Sequence, residues 1–414
     1  MSELKKYKFS DLYDMSSGIS SKPEQAGHGF PFASFSTVFN NQFLPETLPD
    51  LMDTSEKERK TYSIKEGDVF LTRTSETLDE LAMSSVAVKN ISNATYSGFL
   101  KRLRPKQVDI SYHKFMAFYL RSKLFRKTMN NNAIMTLRAS LNEQIFSYLE
   151  LLLPEYKEQK KIGDYLYLLN KKIQLNNKIN EELEAMTKLI FDYWFVQFDF
   201  PDANGKPYKS SGGKMIYNEE LKREIPHGWN VKELQSIAHN IMGQSPKGDS
   251  YNKEGVGTPL LNGPADYKNG ALYGRTYTTE PTRLCKKDDL VLCIRATIGN
   301  LVYSEKEFCL GRGVAAVRPN NESYSEFIYF ILVQEIERFK IHATGSIIKG
   351  ITKDDLTESK CLIPDESLLL NFHQIIKPMF DKQRNNKTEN LRLIELRDWL
   401  LPMLMNGQVT VKYN

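Results

Sequence analysis

Acidic and glycine-rich motifs that could serve catalysis are few in this chain of 414 residues. The segment PDLMDTSEKERK places Asp50 ahead of Glu58 and Lys60, a set that a nuclease could use to hold a divalent cation and a phosphate. We expect this charged segment to be a solvated loop, because no strand flanks it to hold the carboxylates together. GRGVAA (311–316) satisfies G-x-G-x-x-A, but it lacks the strand-to-helix context of a dinucleotide site.

Signatures of other enzymes and of metal sites are missing from the sequence. It contains no Asn-Pro-Pro-Tyr-like loop to hold a flipped base and no G-x-x-x-x-G-K-[ST] loop to bind a nucleotide. The four cysteines, Cys285, Cys293, Cys309 and Cys361, have no C-x-x-C spacing, and the six histidines form no zinc-binding pattern. The sequence therefore predicts a non-catalytic protein with buried, reduced thiols, no cofactor and no structural metal.

Composition favours a globular protein of two or three domains, at about 100 to 200 residues per domain. Hydrophobic residues make up 41% of the chain, and no run of about 18 apolar residues could span a bilayer. The opening MSELKKYKFS lacks the apolar region of a secretion signal, so we expect a cytoplasmic location and no membrane contact. The net charge of +5 is compatible with nucleic acid binding but does not establish it.

A heptad pattern predicts one long helix over residues 155–197. Steps of four and three residues give a seam with a polar middle: Ile162, Leu166, Leu169, Ile173, Asn176, Asn180, Leu183, Thr187, Ile190 and Trp194. The pattern returns 210 residues later as Phe372, Ile376, Met379, Gln383, Asn386, Asn390, Leu393, Arg397, Leu400 and Leu404. Asn176 and Asn180 thus recur as Asn386 and Asn390. Aligning the tripeptide NNK gives an offset of 209, so the register is open by one residue.

The regions before the two helices also resemble each other. IKEGDVFLTRTSE (64–76) and CKKDDLVLCIRATIG (285–299) each contain an acidic turn, a short apolar strand, and then Arg with Thr. SSGISSKPEQ (16–25) and IMGQSPKG (241–248) share a loop of Gly, Ser, Lys and Pro. We therefore predict an α+β fold with two pseudo-repeated domains. The predicted segments are a first domain at 1–152, a long helix at 153–199, an extended or loop-like linker at 200–229, a second domain at 230–362 and a C-terminal long helix at 363–409.

Two helices with matching seams can bury those seams against each other as an antiparallel coiled coil. At a rise of about 1.5 Å per residue the rod would be roughly 60 Å long, with one domain at each end. Asn176 would face Asn390 and Asn180 would face Asn386, and such buried asparagines would reject slipped registers. The alternative is that these asparagines face solvent on a bent helix. Two unlike modules at a fixed separation suit a duplex with an asymmetric, two-part target.

Three segments carry a resemblance that covers essentially the whole chain: residues 185–197 (AMTKLIFDYWFVQ), residues 198–231 (FDFPDANGKPYKSSGGKMIYNEELKREIPHGWNV) and residues 372–409. In these segments the chain resembles the specificity subunits of type I restriction-modification systems, and the second segment is the most specific. The resemblance implies two target recognition domains, each reading half of a split site in double-stranded DNA. It also implies central helices that bind two methyltransferase subunits, with motor-endonuclease subunits joining that core.

For contacts with bases we favour polar side chains in loops that recur in both domains, because arginine can bind guanine through two hydrogen bonds and serine and glutamine are adaptable. The candidates are Ser20, Ser21, Lys22, Arg73, Thr74, Arg138 and Ser140 in the first domain, and Gln244, Ser245, Lys247, Arg295, Thr297, Ser346 and Lys349 in the second. Arg73 corresponds roughly to Arg295. The basic run at 100–127 could contact phosphate or form a solvated helix face. A stand-alone nuclease around Asp50 and a scaffold that binds proteins instead of DNA are the alternative functions.

Overall fold

The computed structural model describes residues 3–20, 22–75, 80–132, 139–140, 143–268, 270–295, 297–343 and 350–411. The chain divides into two compact units, and each of them contains one globular domain and a part of both long helices. The first unit comprises Met1–Lys178 with Asn386–Asn414, and the second comprises Ile179–Asn385. Among the described residues, no helix combines the length and the apolar character that crossing a membrane requires.

The first unit packs small, mostly antiparallel sheets against helices. Its strands are β1 (Leu4–Lys8), β2 (Tyr13–Ser17), β3 (Ala26–Ala33), β4 (Asp50–Met52), β5 (Val69–Thr72), β6 (Thr74–Ser75), β7 (Ser84–Val86), β8 (Thr95–Tyr96), β9 (Leu100–Pro105), β10 (Ala139–Ser140) and β11 (Glu150–Pro154). Its helices are α1 (Phe9–Leu12), α2 (Phe35–Asn40), α3 (Glu56–Thr61), α4 (His113–Tyr119), α5 (Lys123–Asn132), α6 (Glu143–Tyr148) and the first part of α7 (Tyr156–Phe191). The main sheet has the order β2-β9-β5-β7.

The second unit repeats this construction. Its strands are β12 (Met215–Asn218), β13 (Arg223–Pro226), β14 (Asn230–Glu233), β15 (Ala238–Met242), β16 (Tyr251–Asn252), β17 (Thr258–Leu261), β18 (Tyr267–Lys268), β19 (Ala271–Leu272), β20 (Thr276–Thr278), β21 (Leu284–Cys285), β22 (Leu290–Cys293), β23 (Gly299–Tyr303), β24 (Phe308–Leu310), β25 (Val314–Pro319) and β26 (Lys360–Ile363). Its helices are α8 (Ser325–Ala343), α9 (Lys353–Thr357) and the first part of α10 (Glu366–Met405). The main sheet has the order β15-β25-β22-β23.

The registers of β2, β9 and β5 match those of β15, β25 and β22, which confirms the predicted α+β pseudo-repeat. Tyr13 pairs with Pro105 at the start of β2, and Ala238 pairs with Pro319 at the start of β15. A short parallel pair also recurs beside each main sheet, β3 with β8 and β17 with β24. The two domains therefore share a backbone framework although their side chains differ.

An ion pair between a buried carboxylate and a half-buried arginine recurs at the beginning of one central strand in each main sheet. Arg104 donates two hydrogen bonds to the Asp68 carboxylate, at 2.7 and 2.6 Å, just before β5. Arg318 binds Asp289 in the same two-bond geometry, at 2.8 and 2.7 Å, just before β22. These hydrogen bonds raise the pKa of both guanidinium groups. Each pair joins its strand to the neighbouring strand, because the two arginines lie on β9 and β25.

The two long helices run antiparallel in each unit, as predicted. In the first unit Leu166 and Leu404 share one hydrophobic core. In the second unit the rings of Trp194 and Phe372 lie 5.7 Å apart. Every one of the predicted seam positions is buried or half-buried, and none is exposed. The first helix ends in a π-helical turn at Asp192–Val196. The burial of the seam positions agrees with the heptad pattern.

The segment predicted as an extended or loop-like linker, 200–229, contains a two-stranded sheet. It forms the hairpin of β12 and β13, and Phe200 stacks on Tyr208 at 4.6 Å and on Trp229 at 5.1 Å. Asp199, just before this segment, accepts hydrogen bonds from the Ser210 amide and hydroxyl, which hold residues 199 and 210 together. These aromatic contacts follow no helical or strand periodicity, so the sequence pattern does not predict them.

Candidate DNA interface and helix pair

In the first unit, two loops meet at the tight turn formed by residues 97–100. The Ile19 amide donates to the Tyr96 carbonyl at 2.9 Å, which places the loop after β2 beside this turn. The Arg73 amide donates to the Phe99 carbonyl at 2.9 Å, which places the end of β5 on the turn as well. Backbone hydrogen bonds therefore gather three separate stretches of sequence at one edge of the domain.

The second unit builds the same cluster around residues 311–314. The Gln244 amide donates to the Leu310 carbonyl at 2.8 Å, and the Ile294 amide donates to the Gly313 carbonyl at 2.9 Å. The loop after β15 and the end of β22 thus meet at this turn. We call the two assemblies the loop clusters, defined as residues 18–20, 22, 73–74 and 97–100 in the first unit, and 243–247, 294–295, 297 and 311–314 in the second.

Several predicted contact residues of the first domain lie in its loop cluster. Ser20, Lys22 and Arg73 are exposed there, whereas Thr74 is half-buried. Thr74 also pairs with Ser140 across β6 and β10, so that strand joins the same edge. Ser21 and Arg138, which were predicted with them, lie outside the described residues.

The second cluster likewise contains predicted residues. Gln244, Lys247, Arg295 and Thr297 are exposed and Ser245 is half-buried. The Thr297 amide donates to the Arg295 carbonyl at 2.8 Å, which shapes the loop after β22. The remaining two predicted residues, Ser346 and Lys349, lie outside the described part of the chain.

The matched registers refine which residues are equivalent. Lys22 and Lys247 coincide, because each immediately precedes a short 3-10 turn at the same distance from its strand. Arg73, by contrast, coincides with Ile294, since both amides bind the same carbonyl of the equivalent turns. The rough correspondence of Arg73 with Arg295 is therefore off by one residue, and Arg295 is the counterpart of Thr74. Residue type suggested that correspondence, but the hydrogen-bond ladder sets it.

Two residues of the clusters were missed by sequence reasoning. Phe99 is 66% exposed at the first turn. Arg312 is exposed at the second turn, and its Nε donates to the Ser245 hydroxyl at 3.2 Å. The available signal was a glycine beside each of them, shortly before a strand that ends in Arg-Pro.

The arginines of the basic run 100–127 mostly bind the protein itself. Arg102 is buried and donates to the Ser63 carbonyl at 2.8 Å. Arg121 donates to the carbonyls of Val38, Phe39, Asn41 and Ser84. Burial lowers the pKa of Arg121 to about 10. Neither phosphate contact nor a solvated helix face describes these arginines, because their donors satisfy buried backbone carbonyls that would otherwise lack partners.

The candidate nuclease carboxylates have separate structural contacts. Asp50 accepts from the Thr37 hydroxyl at 3.2 Å, and Glu58 accepts from the Ser55 amide at 2.8 Å in a capping box. Lys60 pairs with Glu56 at 2.7 Å. The expectation of a loop was wrong, because this segment contains β4 and α3. Within the described ranges, no three or more His, Cys, Asp or Glu side chains are grouped to hold a metal ion.

The polar middle of the helix seam forms hydrogen bonds in each unit. In the first unit, Asn176 Nδ2 donates to Asn390 Oδ1 at 2.9 Å and to Glu389 Oε2 at 2.7 Å. Asn176 and Asn390 are only 1% and 7% exposed. In the second unit, Asn180 Nδ2 donates to the Gln383 carbonyl at 3.4 Å. Asn386 is buried as well, so three of the four seam asparagines are buried and Asn180 is half-buried.

Comparison with known proteins agrees with the internal repeat. A family model described as the type I restriction modification DNA specificity domain matches residues 1–185 and again residues 226–395. The type I restriction enzyme HindI specificity subunit of Haemophilus influenzae is 23% identical over 482 residues, which cover 99% of this chain and 100% of that protein. The MjaIX specificity subunit of Methanocaldococcus jannaschii is 24% identical over 352 residues, covering 79% of this chain and 75% of that one.

A solved structure shares the fold of the chain. The S subunit of a type I restriction-modification system from M. genitalium superposes with a TM-score of 0.69 at 16% identity, over 100% of this chain and 97% of that one. Because the family domain matches most of the sequence, in two copies, the assignment does not depend on any single relative. The chain belongs to the type I restriction-modification specificity subunits, the non-catalytic DNA-recognition members of these systems.

Proposed function

We propose that each unit of this chain reads one half of an asymmetric, two-part target in double-stranded DNA. The observation that carries the proposal is that the two loop clusters share their backbone hydrogen bonds but expose different side chains. The exposed polar side chains are Ser20, Lys22 and Arg73 in one cluster and Gln244, Lys247, Arg295, Thr297 and Arg312 in the other. One framework with two sets of side chains fits two readers of unlike half-sites, since side chains at base edges determine sequence preference.

Within each cluster we assign the equivalent lysines to phosphate. Lys22 and Lys247 occupy the same place in the repeat and are exposed. Lysine is a flexible point charge, so it suits phosphate better than the paired acceptors of a base. The Nζ of Lys247 lies 4.0 Å from the Glu280 carboxylate, a long surface contact that a phosphate could replace. Binding through such contacts should weaken as salt is raised.

The helices supply surfaces for the other subunits of the complex. Met186, Leu189 and Tyr193 are exposed in the second unit, and Leu396 and Trp399 are exposed in the first. Met186 and Leu189 correspond to Leu396 and Trp399, which lie 210 residues later, so each unit presents the same kind of apolar surface. Exposed large apolar groups at equivalent places support the binding of two methyltransferase subunits, one to each unit. Motor-endonuclease subunits would complete the complex.

The first test is to map methylated adenines in a host that expresses the chain with its partner subunits, because one consensus would give both half-sites. Arg295→Ala should then weaken binding by about 1 to 3 kcal/mol and relax discrimination at one position of the second half-site. Lys287→Ala is the matched control, since it removes a positive charge at the other end of β22. Equal loss on all sequences would make Arg295 a phosphate contact instead.

A domain exchange tests the division of labour between the units. Replacing residues 1–152 by the same region of another family member should change one half of the target and leave the other unchanged. A change in both halves would contradict separate reading. Cleavage of DNA by the purified chain with magnesium alone would favour the nuclease alternative. A complex whose duplex binding depends on neither sequence nor salt would favour the protein scaffold.

A further inference from the structure

The turns 97–100 and 311–314 occupy equivalent positions, and each closes with a hydrogen bond between its ends. The Leu100 amide donates to the Ser97 carbonyl at 3.0 Å, and the Val314 amide donates to the Gly311 carbonyl at 3.1 Å. Each turn therefore has two central positions at which a side chain could project.

Backbone packing leaves one of these positions to glycine in each turn. A Cβ at position 98 would lie 3.0 Å from the Ile19 carbonyl oxygen, which is closer than ordinary van der Waals contact. A Cβ at position 313 would lie 2.0 Å from the Asn262 carbonyl oxygen, which is impossible without moving the backbone. Backbone packing therefore requires glycine at 313 and favours it at 98, and the large side chain is Phe99 in the first turn and Arg312 in the second.

The environment of Phe99 suggests contact with a ligand rather than a role in folding. Its ring is 66% exposed, so it contributes little to either hydrophobic core of the unit. The Phe99 carbonyl accepts from the amide of the exposed Arg73, and Lys101 follows two residues later on β9. A large apolar ring left exposed in a cluster of otherwise polar side chains is suited to an apolar feature of the DNA.

The environment of Arg312 suggests a different ligand. Arg312 is exposed, and its hydrogen bond to Ser245 comes from Nε, which leaves the two Nη groups out of that bond. That hydrogen bond fixes the side chain in advance and lowers the entropy lost on binding. Arginine held in this way can donate two hydrogen bonds to one planar acceptor pair.

We propose that the two turns read base pairs of unlike kind: Phe99 contacts the C5-methyl group of a thymine in the first half-site, and Arg312 binds O6 and N7 of a guanine in the second. In the major groove, the C5-methyl group of thymine is the apolar feature, and O6 and N7 are the two acceptors that distinguish guanine. This proposal rests on the proposed function and deepens it. The same backbone turn thus supports an apolar reader in one unit and a charged reader in the other.

Thymine reading is tested with the complete complex on its mapped target. Each thymine of the first half-site is replaced in turn by uracil, which removes the methyl group only. We expect affinity to fall about fourfold at one thymine, the effect of one methyl group withdrawn from an apolar contact. In Phe99→Ala that replacement should have no effect, and Phe99→Leu should restore part of it. Tyr148→Ala, which removes a ring that is 69% exposed in the same unit, is the control.

Two results would overturn the assignment of Phe99. One is a uracil effect of the same size in Phe99→Ala as in the wild type. The other is a wild-type complex with no uracil effect at any thymine of the first half-site but a loss of affinity in Phe99→Ala, which would make the ring a wedge between base steps. Because Phe99 is exposed and outside the core, neither variant should lose its fold.

Guanine reading is tested by replacing each guanine of the second half-site with 7-deazaguanine, which lacks the N7 acceptor. Wild-type complex should lose about fivefold or more at one guanine, and Arg312→Ala should be insensitive to that replacement. Lys287→Ala should retain the wild-type response. Loss in Arg312→Ala that is equal on all duplexes would overturn the assignment. If the wild-type complex shows no sequence selectivity, the proposed function itself fails. If selectivity is present but both base effects persist in the variants, only the turn proposal fails.

Discussion

The polar contact in the helix seam of the first unit should contribute measurably to local stability. Asn176→Ala removes two hydrogen bonds, one to Asn390 and one to the Glu389 carboxylate. A neutral hydrogen bond contributes about 1 kcal/mol net, and a bond to a charged group contributes more when it is buried. The Glu389 side chain is 44% exposed and pairs with Lys172 at 3.3 Å, so we assign about 1 kcal/mol to that bond as well.

The sum, about 2 kcal/mol, corresponds to roughly thirtyfold faster hydrogen exchange in the affected turn of α7. Exchange of peptides that cover residues 172–180, followed by mass spectrometry in the full chain, measures this change directly. Gln174→Ala is the matched control, because it removes an exposed amide from the same helix. Its effect should stay within about 0.5 kcal/mol.

A double variant tests whether the two asparagines stabilise the seam as a pair. Asn176→Leu with Asn390→Leu replaces both partners by apolar groups, which should restore exchange to near the wild-type rate or slow it further. The coupling between the two positions should be at least about 1 kcal/mol. If Asn176→Ala exchanges no faster than Gln174→Ala, or if the coupling is absent, the pair does not hold the seam. The proposed register role of the asparagines would then fall with it.

Two further predictions concern the framework and the partner surface. Asp289→Ala should leave the Arg318 guanidinium without its carboxylate and destabilise the second unit by about 3 kcal/mol, measured as faster exchange in β22; Asp68→Ala should do the same in the first unit only. Trp399→Ala should weaken the binding of one methyltransferase subunit by about 2 kcal/mol or more, and Leu189→Ala should weaken the other, measured by titration calorimetry. An unchanged stoichiometry and affinity in both surface variants would contradict the partner assignment.

The helices could be predicted from sequence because their signal is local and periodic. Each seam position, from Ile162 to Trp194 and from Phe372 to Leu404, is buried or half-buried, and a heptad repeat carries that information in residue type alone. The repeat of the domains was also readable, because the acidic turn before β5 and the one before β22 have similar sequences. The arginine partners of the acidic residues in those turns could not be predicted from the sequence.

Non-local pairing explains what the sequence did not reveal. Asp68 and Arg104 lie 36 residues apart, and only the sheet order brings them together. Arg121 belongs to a basic run that suggests a DNA surface, yet its donors satisfy carbonyls roughly 80 residues earlier. A charge pattern cannot distinguish a guanidinium that faces solvent from one that caps backbone groups, since both uses require the same residue. The one-residue error in matching Arg73 with Arg295 has the same origin, because hydrogen-bond pairing between strands determines which residues of the two domains are equivalent.

The loop clusters explain how a repeated fold can support two different specificities. Their shape is fixed by main-chain hydrogen bonds, such as Ile19 to Tyr96 in one unit and Gln244 to Leu310 in the other. Main-chain bonds of this kind do not depend on the exposed side chains, so Phe99 and Arg312 can differ without loss of fold. Glycines at close backbone contacts, such as Gly313, decide which position of a turn carries the variable side chain. Stability and sequence preference therefore depend on separate atoms, which allows the base contacts of each domain to change while its framework is kept.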